Sequence, residues 1–198
     1  MWTEERIIAG CRKFEKGAQK ALYEKHVASF RAICKRYASD VDVVNDLLHD
    51  CFIKMFININ QYSGIGSFEG WLKRIVINTA ISRWKANKIN TQYNIDDVEE
   101  PVAYIDESAN PDEENNDIRA TITNADFTRE EILHAVNQLP DGFRMVFNLY
   151  VFENYKHKEI AEELNIDINT SKSQLSRARK LLQKKLMELC KNKIILDK

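Results

Sequence analysis

The feature that most constrains the fold of this chain is a run of helical periodicity between residues 155 and 186 that is interrupted once. Apolar residues recur at the i, i+3, i+4 spacing on both sides of the interruption, which predicts two amphipathic helices. They are Ile160, Ala161 and Leu164 before it and Leu175, Ala178, Leu181 and Leu182 after it. Between them, Asn165 can adopt the left-handed conformation that ends a helix and Asp167 can cap the next one. The stretch therefore has the form of a helix-turn-helix.

The second of these helices carries polar side chains on the face away from its apolar stripe. The set comprises Thr170, Lys172, Ser173, Gln174, Ser176 and Arg177. Hydroxyls and amides hydrogen-bond to base edges in the major groove of DNA, and cations bind its phosphates. An ordinary helical hairpin with solvated charges is the alternative, but the density of Lys and Arg over residues 172–185 favours a nucleic-acid surface.

Charge is segregated along the 198 residues, although the formal net charge is only −1. Residues 1–90 hold 15 Lys and Arg against 9 Asp and Glu, and residues 128–198 hold 13 against 10. Residues 91–127 hold 1 against 11, and they show no sustained apolar period. This pattern predicts an all-α protein with two small helical domains, 1–90 and 128–198, joined by an acidic flexible linker over 91–127. Thr128 and Glu131 have the spacing of a capping box, which predicts the start of the second domain's first helix.

The cysteines, histidines and termini exclude several other classes of protein. Neither the four cysteines nor the four histidines show the spacing of a metal site or a disulfide framework, so we expect buried reduced thiols, no metal and no cofactor. The sequence contains neither a nucleophile paired with a base nor a phosphate-binding loop, so it does not predict an enzyme. The chain lacks signal-peptide and membrane-spanning patterns, which predicts a cytoplasmic protein without direct membrane insertion.

Apolar spacing predicts several helices in the first domain. One, from about residue 18 to residue 37, aligns a seam for burial. The seam residues are Tyr23, Val27, Phe30, Cys34 and Tyr37. The next helix turns Val44, Leu48, Cys51 and Met55 inward, with Leu47 and Phe52 beside them. Its exposed side is acidic and carries Asp42, Asn45, Asp46, His49 and Asp50.

A glycine-containing loop at residues 58–67, N-I-N-Q-Y-S-G-I-G-S, precedes a helix predicted from Phe68 to Lys88. That helix interleaves Trp71 and Trp84 with cations, a combination typical of surfaces that stack unpaired bases and follow the phosphate backbone. Burial of both tryptophans in the core, beside solvated cations, is an open alternative.

In this order the pieces resemble the small two-domain sigma factors of bacterial RNA polymerase, the extracytoplasmic-function group of the sigma-70 family. V-V-N-D-L-L-H-D-C-F-I-K-M-F is similar to the family's acidic polymerase-binding helix, and Y-S-G-I-G-S-F-E-G-W-L-K-R-I-V-I-N to its −10 recognition loop and helix. L-P-D-G-F-R-M-V-F-N-L-Y and the helix-turn-helix are similar to its −35 reading domain. The resemblance covers about residues 18–88 and 129–187.

The resemblance implies a non-enzymatic factor that binds core RNA polymerase and promoter DNA, directs initiation and stabilises the melted −10 strand. It implies polymerase contacts by Asp46, Leu47, His49 and Asp50. It implies −10 contacts by Tyr62, Ser63, Gly64, Ser67, Trp71, Lys73, Arg74 and Asn78. The six polar residues on the second helix of the helix-turn-helix would read the −35 element. A membrane-bound anti-sigma factor is the expected regulatory partner.

The chain departs from the family pattern at several positions of the second domain. Asn154 and Asn165 stand where glycine is common, and both tolerate positive φ, so the turns should persist. Lys156 replaces a frequent capping Ser or Thr, which should cost about 1 kcal/mol. Ser171 replaces a frequent Val, which should thin the apolar contact beneath the recognition helix.

Two other functions fit parts of the sequence. A stand-alone regulator that dimerises through the helix-turn-helix would leave the acidic helix and the Trp71 helix without a role. A helical adaptor or inhibitor that binds only proteins would make Lys172 and Arg177 incidental.

Overall fold

The computed structural model describes residues 2–94 and 126–196, with side chains over 2–88 and 126–193. Eight α-helices and no strand occur in these ranges, which confirms the predicted all-α class. The predicted flexible linker, residues 91–127, lies mostly outside the described residues. The chain divides into two compact units, residues 1–85 and residues 86–198. No helix in the described ranges is long and apolar enough to cross a membrane.

The first unit contains α1 (Glu4–Arg12), α2 (Lys16–Cys34), α3 (Val41–Asn58), a 3₁₀ turn (Ile59–Gln61) and the start of α4 (Phe68–Asn94). Asp40 begins α3, because its Oδ1 accepts hydrogen bonds from the backbone N–H groups of Asp42 (2.9 Å) and Val43 (3.0 Å). α4 runs to Asn94, past the predicted end at Lys88 and into the start of the predicted linker.

The buried seam of α2 contains Phe30 and Cys34, as predicted, but its first part lies one position earlier than expected, at Leu22 and His26. Ala18, Leu22, His26, Phe30 and Cys34, spaced by four residues, are all buried. Tyr23, predicted to lie in the seam, is 42% exposed and packs its ring at a tilt against Phe52, with 4.7 Å between ring centroids. His26 stacks on Phe30, and burial lowers the pKa of its imidazole. The stacking on Phe30 gives the His26 ring an aromatic neighbour at its buried position in the seam.

All four cysteines are free and buried, as predicted. Cys34 on α2 and Cys51 on α3 are fully buried and share a hydrogen bond, which together with desolvation raises the pKa of the Cys34 thiol. Thr79 on α4 also hydrogen-bonds to Cys51. This small polar contact connects three helices at the centre of the first unit.

The second unit contains α5 (Arg129–Asn137), α6 (Asp141–Phe147) with a π-helical turn (Asn148–Phe152), α7 (His157–Leu164) and α8 (Ile168–Leu196). The predicted capping box at its start is present. Glu131 N–H donates to Thr128 Oγ1 (3.2 Å), and Thr128 N–H donates to Glu131 Oε2 (2.8 Å).

Both predicted asparagine turns are confirmed, with φ of 58° at Asn154 and 53° at Asn165. Asn165 ends α7 in the left-handed conformation, and the next residue, Ile166, donates its N–H to Ala161 O (3.0 Å). Apolar side chains from α7 and α8 fill the angle between the two helices. Ile160, Ala161, Leu164, Leu175 and Ala178 are buried there.

Lys193, near the end of α8, holds the residues that lead into α5. Its Nζ donates to Asp126 O (2.7 Å) and to Glu131 Oε2 (2.8 Å), and it lies 5.3 Å from the centroid of the Phe127 ring. The hydrogen bond from Lys193 is the main cause that lowers the pKa of the Glu131 carboxyl. The entry to the second unit is therefore fixed by its last helix.

Candidate nucleic-acid and polymerase interfaces

The six residues predicted to read the −35 element are accessible on α8. Lys172, Ser173, Ser176 and Arg177 are exposed, and Thr170 and Gln174 are half-buried. Leu175 and Ala178, which face the other way, are buried against α7. Asp167 Oδ1 caps α8 by accepting the N–H of Asn169 (2.7 Å), so the helix begins just before its polar face. The structure thus presents all six on one side of a braced helix.

Two of these six have local partners. Ser173 Oγ donates to Thr170 O (3.0 Å). The amide of Gln174 lies within 4 Å of the position where a Cβ on Gly142 would stand, so it packs over the first turn of α6. A Cβ at position 142 would be in ordinary van der Waals contact with this amide, so the packing does not itself require glycine.

Ser171 differs from its prediction. We expected only a thinner apolar contact, but its side chain is fully buried and its Oγ lies 2.9 Å from His157 Nδ1. The His157 ring stacks on Tyr150, with 4.7 Å between centroids, and Arg179 lies over the same tyrosine (5.6 Å). Burial, followed by the charges of Lys172 and Arg179, lowers the pKa of His157. A polar bond therefore joins α7 to the recognition helix.

The first turn of α7 also shows a compensation that the sequence prediction omitted. Lys156 makes no side-chain capping bond, as expected for this residue type. Its backbone N–H nevertheless donates to Glu159 Oε2 (2.7 Å), which satisfies one of the donors at the helix start.

A cleft of about 300 Å³ lies between the end of α3 and the first turns of α4. It brings together three residues predicted to bind the −10 element, Trp71, Arg74 and Asn78. Three further residues line it that we did not predict, Lys54, Asn58 and Gln61, together with Ile75, Thr79 and Ser82. Lys73, which we also predicted, is half-buried and does not line the cleft.

The unpredicted wall of the cleft is built from amide side chains. Gln61 Nε2 donates to Asn58 Oδ1 (2.8 Å), and Asn58 Nδ2 donates to Lys54 O (2.8 Å). The opposite wall carries Trp71, whose ring stacks on Phe68 with a centroid distance of 6.0 Å. The cleft thus combines an aromatic face, two cations and fixed amides, a set that suits a nucleobase and its phosphate.

The loop before α4 is shaped by a residue that we predicted to contact DNA. Tyr62 is 8% exposed, and its hydroxyl donates to Gly66 O (2.8 Å). Arg12 Nη2 on α1 donates to Tyr62 O (2.6 Å), a brace that the sequence did not reveal. Tyr62 is therefore an internal support of the loop, and its contact with DNA stays a prediction from the resemblance.

The remaining predicted loop residues are exposed. Ser63, Gly64 and Ser67 all lie at the surface. Gly64 (φ 82°) and Gly66 (φ 80°) adopt conformations that residues with a side chain rarely take. Ser67 Oγ accepts the N–H of Gly70 (3.3 Å), so its hydroxyl also caps α4.

The acidic face of α3 is accessible except at one predicted position. Asp46, His49 and Asp50 are exposed, whereas Leu47 is 2% exposed and lies in the core. The Leu47 side chain packs inside the first unit and adds nothing to this face, so its docking on polymerase stays a prediction from the resemblance. Val43, Ile53 and Ile57, which are 37%, 43% and 68% exposed, flank the carboxylates along the same helix.

Arg83 of α4 contacts two of the three carboxylates on this face. Its guanidinium lies 3.8 Å from Asp46 Oδ2 and 3.9 Å from Asp50 Oδ2. Such exposed pairs contribute little to stability. The pairs nevertheless place the positive charge of Arg83 beside a helix face that the sequence predicted to be acidic only. In the parts of the chain that the structure describes, no group of three or more His, Cys, Asp and Glu side chains is placed to hold a metal ion.

Comparison with known proteins agrees with this arrangement. The sequence pattern of Sigma-70 region 2 matches residues 22–89, and that of Sigma-70, region 4 matches residues 129–182. The chain belongs to the sigma-70 family of RNA polymerase sigma factors. A stand-alone helix-turn-helix regulator would not contain the region 2 match, so that alternative is set aside.

Curated relatives narrow the group within the family. The chain is 24% identical over 196 residues to the ECF RNA polymerase sigma-E factor of Haemophilus influenzae, covering 94% of this chain and 97% of that protein. It is 26% identical over 188 residues to the factor of the same name from Escherichia coli K12, covering 89% and 92%. It is 24% identical over 186 residues to the RNA polymerase sigma-H factor of Pseudomonas aeruginosa, covering 94% and 95%. The protein is an extracytoplasmic-function sigma factor, a non-enzymatic factor that binds core RNA polymerase and promoter DNA to direct transcription initiation.

Proposed function

We propose that the cleft between α3 and α4 binds unpaired bases of the −10 element. One wall offers the Trp71 ring, and stacking a base on an aromatic side chain contributes about 1–3 kcal/mol. Arg74 and Lys54 supply cations for phosphates, and the Asn58 and Gln61 amides can hydrogen-bond to a base edge. The single observation that carries this assignment is the convergence of these groups on one cleft of about 300 Å³.

A first experiment locates the promoter, and a second tests the cleft. Run-off transcription with core polymerase on fragments of the source genome would identify a promoter, and its −10 strand then serves as a single-stranded probe. Trp71→Ala should weaken binding to this strand by about tenfold, since a stacking contact is lost. Trp71→Phe keeps an aromatic face and should restore most of the affinity. Equal affinity for wild type and Trp71→Ala would contradict the role of the cleft.

We propose that the exposed face of α8 reads the −35 element. Lys172 and Arg177 flank the hydroxyl and amide groups on that face, so phosphate and base contacts lie side by side. Replacement of Lys172 by Ala should weaken promoter binding and reduce the dependence on salt by about one counterion. Lys184→Ala, a change at an exposed site closer to the end of α8, is the matched control. Equal losses in both variants would mean that only overall charge matters.

We propose that Asp46, His49 and Asp50 dock on core polymerase. Their support is accessibility along one helix face, next to apolar side chains that an interface could bury. Asp46→Asn combined with Asp50→Asn should abolish most core binding, whereas Asp42→Asn, at the first turn of the same helix, should leave it within about twofold. Unchanged core binding in the double variant would move the docking surface elsewhere.

The remaining assignments follow from this scheme. Residues 1–90 would bind polymerase and the −10 element, residues 128–198 would read the −35 element, and the acidic residues 91–127 would tether them. The protein would act in the cytoplasm, where polymerase acts. An anti-sigma protein would inhibit it by covering the α3 face, because the exposed Ile53 and Ile57 beside the carboxylates suit a protein partner. Competition between polymerase and such a protein for wild type, but not for an Ile57→Asp variant, would test that surface.

A further inference from the structure

The tip of the loop before α4 presents an apolar side chain to solvent. Ile65 is 87% exposed, more than any other large apolar residue among those described, the next being Ile57 at 68%. A single exposed apolar side chain is ordinary on most surfaces. Here, however, it stands on a loop that is built to hold it outward and that adjoins a nucleic-acid cleft.

The glycines on either side determine the position of Ile65. Gly64 and Gly66 have φ of 82° and 80°, so the backbone on both sides of the isoleucine adopts a conformation that residues with a side chain rarely take. No atom lies within 4 Å of the positions where their Cβ atoms would stand, so the tip is open on both sides. Glycine at these two positions allows a turn that residues with side chains would strain.

Hydrogen bonds hold the base of the loop, whereas its tip is open to solvent. Tyr62 hydrogen-bonds across the loop to Gly66 O (2.8 Å) and receives the bond from Arg12 (2.6 Å). The Tyr62 ring also packs against the Trp71 ring, with 5.6 Å between centroids. The backbone N–H of Trp71 donates to Ser67 O (3.0 Å). The loop that carries Ile65 is therefore attached directly to the aromatic wall of the cleft.

We propose that Ile65 is an unstacking wedge, which inserts between neighbouring base pairs at the edge of the −10 element while the freed base enters the cleft. Isoleucine is among the apolar side chains that unstack base steps when inserted into duplex DNA. Insertion also removes its apolar surface from water, which favours the opened state. The inference rests on the proposed −10 role of the cleft and adds the residue that starts the separation of the strands.

The test compares opening of paired and pre-opened promoter by polymerase carrying the full-length protein. The probe is promoter DNA with 2-aminopurine in the −10 element, either fully paired or with mismatches that keep that element unpaired. Ile65→Ala should reduce opening of the paired promoter by about tenfold, and binding to the mismatched promoter should stay within about twofold. Ile65→Leu should behave as wild type, because it keeps the apolar volume. Ile132→Ala, at a 39% exposed site on α5, is the control for removal of an exposed isoleucine side chain.

The possible results separate the wedge from the cleft. Normal opening of the paired promoter by Ile65→Ala would overturn the wedge. An equal loss on both templates would also overturn it, since Ile65 would then be a base contact. Loss of binding to the mismatched promoter in Trp71→Ala, with none in Ile65→Ala, supports both assignments. A wild-type protein that makes no contact with the mismatched −10 element would refute the cleft itself.

Discussion

The hydrogen bond between Ser171 and His157 controls how firmly α7 is held against the recognition helix. Ser171 is fully buried, and its Oγ lies 2.9 Å from the imidazole Nδ1. Replacing Ser171 by Ala removes the hydroxyl with almost no change in volume, so the perturbation is confined to this bond. We predict that Ser171→Ala loosens α7 without unfolding the unit.

The expected size follows from the burial of the two partners. A hydrogen bond between neutral groups contributes about 1 kcal/mol net, and an unpaired buried partner costs about 1–3 kcal/mol. The His157 ring is half-buried, so water can replace the lost hydroxyl and the cost falls at the lower end, about 1 kcal/mol. A difference of this size changes the equilibrium between closed and open α7 by about fivefold.

The assay must report on the second unit alone. Trp2, Trp71 and Trp84 all lie in the first unit, so tryptophan fluorescence does not follow α7. Hydrogen exchange of the α7 backbone amides does report on this helix. The exchange rate in Ser171→Ala should be about fivefold higher than in wild type. Ser173→Ala, at an exposed position of the same helix, should change exchange by less than about twofold.

A double-mutant cycle with His157→Ala isolates the bond from the stacking of His157 on Tyr150. The two substitutions should be non-additive by about 1 kcal/mol, since either one removes the same bond. Strict additivity, or wild-type exchange in Ser171→Ala, would refute the assignment of α7 stability to this contact.

Three further predictions concern other parts of the molecule. Because the folded-state pKa of Glu131 is lowered, mainly by the hydrogen bond from Lys193, its contribution to stability is present above the unfolded pKa of about 4.3 and is lost as pH falls through the folded pKa. The destabilisation caused by Glu131→Gln, measured by denaturation, should therefore be larger at pH 7 than at pH 3, and an equal difference at both pH values would contradict this assignment. The four buried thiols should react with a thiol reagent only after denaturation, and rapid labelling of the native protein would contradict their burial. Arg83→Gln should change the free energy of unfolding by less than about 1 kcal/mol but tighten polymerase binding at low salt, because it unmasks the two carboxylates; unchanged binding would mean that they do not dock.

Local chemistry made the second unit easier to predict than the first. The turns at Asn154 and Asn165 and the capping box at Thr128 depend on residues within a few positions of one another, and all three are confirmed. The His157–Ser171 bond spans fourteen positions, so residue types alone did not reveal it. Ser171 was therefore predicted only as a loss of apolar contact.

The cleft in the first unit shows where sequence reasoning ends. Trp71, Arg74 and Asn78 share one face of α4 and could be found by helical spacing. Lys54 and Asn58 belong to α3 and join the cleft only because the two helices pack together, which no local pattern reports.

Leu47 and Tyr62 are two positions at which the resemblance predicts an outward role and the structure shows a buried side chain. The apolar spacing of α3 already put Leu47 beside the core residues, and the structure buries it. Tyr62 is likewise buried, because its backbone and hydroxyl are both used to hold the loop.

The hydrogen bond from Arg12 to Tyr62 has a consequence for how the first unit can be divided. The region 2 match begins at residue 22, whereas Arg12 lies in the helix before it. A fragment cut to the matched residues would retain the loop sequence and the aromatic wall but lose the guanidinium that anchors them. The boundary of the compact first unit therefore lies upstream of the one that similarity alone would draw.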